Sequence, residues 1–172
     1  LEVTLQEPDN TGASQLDGDL DNGIIAHEYG HGISNRLTGG PGAAGCLFGN
    51  EQMGEGWSDF MTLVTSVQDG DEGAMKRGVG TYATSEPTSG TGIRTYAYST
   101  DMDINPHTYG DLPGESIPHG VGSVWCAMLW EMYWNFVDEY GWSDDLFTGT
   151  AGNNMAIRLV FEGMKNQPCG PG

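Results

Sequence analysis

Apolar residues recur with helical spacing near the start of the chain. The first series has one at every fourth position, at Ile25, Tyr29, Ile33 and Leu37. This spacing predicts a helix over about residues 23–37, with Asp21 or Asn22 as its N-cap. The run Gly39-Gly40-Pro41-Gly42 then ends the helix, because glycine and proline are both poorly tolerated in helical turns.

Three further helices are predicted from the same kind of pattern. The second covers about residues 51–68 and has one buried side, formed by Trp57, Phe60, Leu63 or Val64, and Val67. The third covers about residues 120–140, and a wide apolar stripe predicts that it faces the core. The stripe consists of Val121, Val124, Trp125, Met128, Leu129, Met132, Tyr133, Phe136 and Val137. The fourth covers about residues 153–165.

Between the second and third helices lies a long segment without periodicity. Residues 69–118 are rich in glycine, proline, serine and threonine. A stretch of this length inside a compact domain is usually functional. The predicted fold class is therefore mainly α, with one helical domain over residues 1–172 and a long irregular insertion at about 69–118.

The composition limits the classes of function. The chain has 172 residues, 37% of them hydrophobic, and a net charge of −18. Nucleic acids need a basic surface and anionic membranes attract one, so neither is expected as a partner. The acidity can keep a secreted protein soluble, and it also leaves carboxylates free to bind cations.

Few features of the sequence indicate a cellular location. No stretch approaches the roughly 18 apolar residues of a transmembrane helix, and the first residues do not resemble a signal peptide. The three cysteines cannot all pair within one chain. Cys126 lies in an apolar helical stretch, where a buried thiol is the simplest interpretation. Cys46 and Cys169 lie in loops and are the more suitable disulfide pair if the compartment is oxidising.

The strongest chemical signal is the motif His27-Glu28-Tyr29-Gly30-His31. Histidines at positions i and i+4 of a helix point from one face, so both imidazoles can bind the same Zn²⁺. Glu28 is rotated by about 100° from His27, too far to join the ligands easily. It is close enough to take a proton from a metal-activated water, which predicts a zinc site with Glu28 as general base.

A third protein ligand must come from elsewhere in the chain. The three-histidine class of zinc proteases is excluded, because its further glycine and histidine are replaced by Ser34 and Leu37. Glu55 and Asp59 lie at i, i+4 on the second predicted helix. Glu55 can bind the metal while Asp59 accepts a hydrogen bond from the far nitrogen of a ligand histidine. Glu51 is the competing ligand, but the glycines beside Glu55 leave more room for close approach.

Two other histidines remain. His119 opens the third helix after Pro118. It can either stabilise the oxyanion of a tetrahedral intermediate or be an exposed residue at a helix start. His107 lies in the segment Asn105-Pro106-His107-Thr108-Tyr109 and is interpreted as a residue that structures its loop.

The motif residues belong to longer strings that resemble the fungalysin family of secreted zinc endopeptidases, which is related to thermolysin-like proteins. The similarity runs through residues 27–41 and 53–60 and continues in 96–101, 105–110, 152–154 and 166–169. It covers nearly all of the chain. Strings of this length are far more specific than the His-Glu-x-x-His motif alone.

The resemblance implies an endopeptidase that hydrolyses extracellular proteins. It implies zinc binding and catalysis by His27, Glu28, His31, Glu55 and His119. It also supports a disulfide between Cys46 and Cys169. Family members are made with a signal peptide and with an inhibitory propeptide, so secretion and a propeptide partner are implied as well.

The chain departs from the family pattern in two places. Pro118 precedes His119 where a valine is usual, and residues 32–54 contain no tyrosine of the kind that thermolysin-like enzymes use. The candidates to replace it are Tyr96, Tyr98 and Tyr109. Such peptidases also have a preceding β-rich lobe and a further final helix. The chain is therefore expected to be the helical catalytic half, able to bind zinc but cleaving poorly by itself.

Two alternative functions can be derived from the same residues. Asp17, Asp19 and Asp21 have the spacing of an EF-hand calcium loop, although Asn22 stands where that loop needs glycine. The same three aspartates could instead bind a structural calcium ion without forming an EF-hand. A zinc aminopeptidase shares the two-histidine, one-glutamate ligand set but also needs an acidic anchor for the amino group of its substrate.

Overall fold

The computed structural model describes residues 16–50 and 52–169. This part of the chain forms four α-helices: α1 (Asn22–Leu37), α2 (Gly54–Ser66), α3 (His119–Tyr140) and α4 (Gly152–Asn166). Two short 3₁₀ turns lie at Gly18–Leu20 and Tyr109–Gly114. The mainly α fold class predicted from the sequence is confirmed. The predicted helix bounds differ most at the start of α2, which begins at Gly54.

The start of α1 is fixed by Asp21, one of the two predicted caps. Its Oδ1 accepts hydrogen bonds from the backbone N–H groups of Gly23 at 2.7 Å and Ile24 at 3.2 Å. Its Oδ2 accepts another from the N–H of Ala83, 2.9 Å away in the insertion. One buried carboxylate therefore starts the helix and ties the insertion to it.

Glycines allow the helices to approach one another closely. A Cβ atom at Gly30 of α1 would lie 2.7 Å from the Cα of Ser58 in α2. One at Gly56 of α2 would lie 2.4 Å from the carbonyl oxygen of Gly122 in α3. Side chains at these positions would force the helices apart. As a result α2 lies between α1 and α3 in the packing order, and α4 packs against α3.

The insertion is anchored at a few points, although it forms only isolated bridges in the described part of the chain. Arg77 pairs with Tyr98 in an antiparallel bridge, and Val79 pairs with Gly92 in a parallel one. Tyr98 and Val79 are buried in the same core as α2, α3 and α4. This anchoring brings the residues around Arg94 and Tyr98 against α2.

Only the C-terminal half of the apolar face predicted for α1 packs against the core, through Ile33 and Leu37. Ile25 and Tyr29 are exposed, whereas the buried positions are His27, Gly30 and Ser34. His27 and Gly30 face α2, where they lie against Asp59 and Ser58. In the first half of α1 burial therefore follows these contacts, whereas in the second half it follows the spacing of the apolar residues.

The stripe predicted for α3 is only partly buried. Cys126, Trp130 and Trp134, which the stripe left out, are buried, while Met128 is exposed. The helix packs against both α2 and α4, so its buried arc is wider than the stripe and extends to residues beside it. The outer edge of α3, at Trp125 and Met128, lines an apolar groove of about 620 Å³ together with the turn that starts at Tyr109.

The close contact of α2 and α3 makes a stability prediction. Gly56→Ala is expected to lower the free energy of unfolding by about 1–3 kcal/mol, because the new methyl group meets backbone atoms of α3 that cannot move independently. Urea unfolding followed by circular dichroism measures this. Gly163→Ala is the matched control, since its Cβ would meet no atom within 4 Å on α4. It should stabilise the helix by about 0.5–1 kcal/mol, and equal effects of the two changes would contradict the packing argument.

A disulfide joins Cys46 to Cys169, two residues separated by 123 positions in the sequence. The bond links the loop after α1 to the segment after α4. The same two segments are also joined by a hydrogen bond from the N–H of Gly39 to the carbonyl oxygen of Gln167 at 3.2 Å. Cys126 is a buried free thiol in α3.

Removing this disulfide should destabilise the protein. We expect the double change Cys46→Ser and Cys169→Ser to lower the free energy of unfolding by about 2–5 kcal/mol, because the unfolded chain loses a long closed loop. Reductant should lower the stability of the unchanged protein by a similar amount and leave the double variant unaffected. Denatured protein should titrate a single thiol, and finding three would contradict the pairing.

Candidate metal centre

Three side chains of α1 and α2 converge on one point: His27, His31 and Glu55. The Nε2 atoms of the two histidines lie 3.1 Å apart. Nε2 of His27 lies 3.3 Å from Oε2 of Glu55, and Nε2 of His31 lies 3.4 Å from Oε1. Among the described residues, this is the one group of three or more histidine, cysteine or acidic side chains that converges in this way. Glu51, the competing ligand, lies outside the described residues.

These separations fit a tetrahedral zinc ion. Zinc binds imidazole nitrogen and carboxylate oxygen at about 2.0–2.2 Å, so two ligand atoms of a tetrahedral ion lie about 3.3–3.6 Å apart. Here the two histidine nitrogens lie 3.1 Å apart, slightly closer than this range, and they lie 3.3 and 3.4 Å from the two different oxygens of Glu55. Two imidazoles and one carboxylate are also the donor set of catalytic zinc sites, which keep a fourth position for water or substrate.

Asp59 fixes the orientation of His27. Its Oδ1 accepts a hydrogen bond from Nδ1 of His27 at 2.8 Å, and the Asp59 side chain is fully buried. Because a carboxylate can only accept, the proton of a neutral His27 lies on Nδ1. Nε2 then keeps its lone pair, on the side of the ring that faces Glu55. Such carboxylate support behind a ligand histidine is typical of metal sites.

The insertion supplies two further residues, Arg94, which the sequence analysis did not identify, and Tyr98, which it named only as one of three candidate tyrosines. Nε of Arg94 donates to Oδ2 of Asp59 at 2.7 Å, and Nη2 donates to Oδ1 of Asp59 at 2.8 Å and to Oε2 of Glu55 at 3.1 Å. The hydroxyl of Tyr98 donates to Oδ2 of Asp59. Arg94 is buried, so its charge balances two carboxylates that would otherwise repel each other in the interior.

Burial and these contacts act in opposite directions on the pKa values. Burial raises the pKa of Glu55, but hydrogen bonds from His27 and His31 outweigh it and lower the pKa. Burial likewise raises the pKa of Asp59, and its bonds with His27 and Arg94 lower it below the ordinary value. Burial lowers the pKa of His27, whereas its bonds with Asp59 and Glu55 raise it to about 9. Both acids are therefore ionised at neutral pH, and a metal ion would have to displace a proton from His27.

His119 lies on the accessible side of the centre. Nε2 of His119 lies 3.6 Å from Oε1 of Glu55, and the His119 side chain is 62% exposed. The His119 side chain is therefore within reach of a molecule that binds over the three converging residues. Glu28 is exposed on α1, next to His27 in sequence.

The three candidate tyrosines have different surroundings. Tyr98 is buried behind Asp59 and supports that carboxylate. The ring of Tyr96 packs edge-on against the ring of His107, with 5.0 Å between their centroids. Tyr109 is exposed and lines the apolar groove on the outer side of α3.

The three aspartates considered as a calcium site do not converge in the described structure. Oδ1 of Asp17 accepts a hydrogen bond from the N–H of Asp19 at 3.0 Å and so starts the first 3₁₀ turn. Asp21 is buried, and its two carboxylate oxygens accept hydrogen bonds from the start of α1 and from the N–H of Ala83. These carboxylates cap turns of the chain, which is a sufficient account of their positions.

The fold and the centre define a class of protein: a helical domain whose candidate metal centre combines two histidines one turn apart on one helix with a glutamate on the next. Comparison with known families agrees with this class. The family model described as fungalysin metallopeptidase (M36) matches residues 10–172, and the chain belongs to this family.

Known relatives support the same assignment. The chain is 42% identical over 172 residues to extracellular metalloproteinase 4 of Arthroderma gypseum, with 94% of this chain and 26% of the relative covered. It is 43% identical over 169 residues to extracellular metalloproteinase 2 of Trichophyton rubrum, with the same coverage. The chain thus spans about a quarter of the length of these relatives. None of the helices in the described residues is long and apolar enough to cross a membrane.

Proposed function

We propose that this chain carries the catalytic zinc centre of a secreted endopeptidase that hydrolyses peptide bonds of extracellular proteins. The convergence of His27, His31 and Glu55 at tetrahedral spacing carries the proposal. Membership of a metallopeptidase family supports peptide hydrolysis, and the names of the relatives support action outside the cell. A propeptide that blocks the centre before release is the further partner we propose.

The charge and chemistry of the centre favour zinc over calcium. Glu55 and Asp59 contribute two negative charges and Arg94 one positive charge, so the centre becomes negative once His27 gives up its proton. A divalent cation is therefore stabilised there. Calcium prefers sets of six or more oxygen ligands, whereas imidazole nitrogen suits zinc.

Each residue has a distinct part in the proposed hydrolysis. A zinc ion at this site would lower the pKa of a water molecule and polarise the carbonyl of the bond to be cut. Glu28 accepts a proton from the attacking water and passes it to the leaving amine. His119 donates a hydrogen bond to the oxygen that becomes negative. Asp59, itself held by Arg94 and Tyr98, keeps His27 in the required orientation.

Peptide digestion with defined metals tests this function. The purified protein should hydrolyse, at a low rate, an internally quenched peptide with an acetylated N-terminus, lose this activity with a zinc chelator and regain it with zinc. An aminopeptidase would cleave only the peptide with a free N-terminus. Activity restored by calcium alone would overturn the assignment of the metal.

A further inference from the structure

We propose that Glu115 is a positioning residue for His119 and that the buried imidazole of His107 holds Glu115 in place. The inference rests on the proposed function, in which His119 meets the reacting carbonyl. It concerns two residues outside the metal centre, both in the segment that leads into α3.

His119 depends on its backbone for its position. Its imidazole makes no hydrogen bond within the described part of the chain, and its side chain is mostly exposed. The approach to Glu55, at 3.6 Å, is longer than a hydrogen bond. A mobile imidazole would lose much of its value as a donor to a developing oxyanion, since that role depends on preorganisation. The first turn of α3 must therefore be held firmly.

One side of this turn is held by α2. A Cβ atom at Gly122 would lie 2.4 Å from the Cβ of Glu55 and 2.8 Å from the backbone nitrogen of Gly56. The backbone of α3 thus touches the residue that carries the carboxylate of the centre. This contact fixes the distance between the two helices, but it leaves the opposite side of the turn without support.

Glu115 covers the opposite side. A Cβ atom at Gly120 would lie 2.3 Å from Oε2 and 3.1 Å from Cβ of Glu115, so the Glu115 side chain lies directly against the residue after His119. Ser116 supports the same position, because the N–H of Gly120 donates to its carbonyl oxygen at 2.8 Å. The carboxylate also lies beside the N-terminal turn of a long helix, where negative charge is favoured.

His107 provides a fixed anchor for Glu115. Its side chain is only 4% exposed, and Nε2 lies 3.4 Å from Oε1 of Glu115. Neither ring nitrogen makes a hydrogen bond among the described residues, and the Glu115 carboxylate is the acidic group that approaches this buried imidazole. The ring of His107 packs edge-on against Tyr96. The backbone N–H of His107 donates a hydrogen bond to Oδ1 of Asn105 at 3.2 Å, which holds the main chain at this residue. The chain of contacts runs from the insertion through His107 and Glu115 to the backbone beside His119.

Kinetics of Glu115 variants in two backgrounds test the proposal. Glu115→Ala is expected to lower kcat by about 10-fold or more with KM changed less than about twofold, because a displaced donor weakens the transition state more than substrate binding. In a protein that already carries His119→Ala, Glu115→Ala should not lower kcat any further, since its effect on kcat acts through His119. Glu115→Gln, which keeps the shape, should retain part of the activity. Glu139→Gln, an exposed change at the far end of α3, is the matched control.

His107→Phe separates anchoring from simple packing. It preserves an aromatic ring against Tyr96 and removes Nε2, so it should reproduce part of the Glu115→Ala loss while zinc content and melting temperature stay close to those of the unchanged protein. An equal loss in both His119 backgrounds, or no loss in either, overturns the positioning role. If hydrolysis is present but independent of Glu28, the proposed function fails separately.

A spectroscopic measurement applies even where hydrolysis is too slow to follow. The chain has four histidines, so imidazole nitrogen–proton correlation spectra of the zinc-loaded protein contain few signals. His119→Ala identifies the His119 signal. Glu115→Ala should shift or broaden that signal and leave those of His27 and His31 in place. An unchanged His119 signal would overturn the inference.

Discussion

Replacing Glu55 by glutamine is expected to lower the affinity of the protein for zinc by on the order of 1000-fold. Changes to a group that only supports a ligand cost about 10–100-fold, and the loss of a charged ligand should exceed this. Glutamine has nearly the same shape and can still accept a hydrogen bond from Arg94, whose Nη2 lies 3.1 Å from Oε2 of Glu55. The fold should therefore survive while the metal is lost.

The matched control for this prediction is Glu51→Gln, which changes the competing carboxylate four positions earlier in the sequence. We expect it to leave zinc affinity within about twofold, since it removes no proposed ligand. Competition with a chromophoric chelator measures both affinities, and His31→Ala gives the reference for a lost ligand. Zinc binding that depends on Glu51 and not on Glu55 would show that the third ligand is assigned to the wrong residue.

Much of this centre could be predicted because its parts are close in sequence. The spacing of His27 and His31 places both imidazoles on one face of any α-helix. The spacing of Glu55 and Asp59 does the same on the next helix. Only the packing of α1 against α2 had to be assumed, and the close contact of Gly30 with Ser58 provides it.

The contacts of Arg94 and Tyr98 with Asp59 could not be predicted in this way, although Tyr98 was one of the three candidate tyrosines. Both residues bond to Asp59 from 35 and 39 positions further along the chain, across a segment with no periodicity. One physical signal was available. Two carboxylates on one buried helical face need a neighbouring cation, and the whole chain has only 6 lysines and arginines. This small number limits which residue can be the neighbouring cation, but only the folded insertion shows that it is Arg94.

The faces of α1 and α3 show a second limit. Apolar spacing predicts the existence of a helix well, but it predicts the buried side only where apolar contacts decide the packing. In α1 the buried side carries His27, and in α3 it includes Cys126. Sites that bury polar groups at close helix contacts are therefore where this prediction fails.

Glu28→Gln should abolish most of the proposed hydrolysis while leaving the zinc centre intact. A general base contributes about 10²–10⁴-fold to such reactions, and glutamine cannot accept the proton. The side chain is exposed and is not among the converging residues, so its charge is not needed to hold the fold. We therefore expect kcat to fall by about 1000-fold with KM little changed.

This prediction separates chemistry from metal binding, because the two losses come from different residues. Zinc content by metal analysis should be the same for Glu28→Gln and the unchanged protein, whereas Glu55→Gln should lack zinc as well as activity. Arg36→Gln is a suitable surface control, since Arg36 is exposed at the last turn of the same helix. If Glu28→Gln retained activity within about tenfold, another group would have to take the proton from water, and the roles of Glu28 and His119 would need to be reassigned.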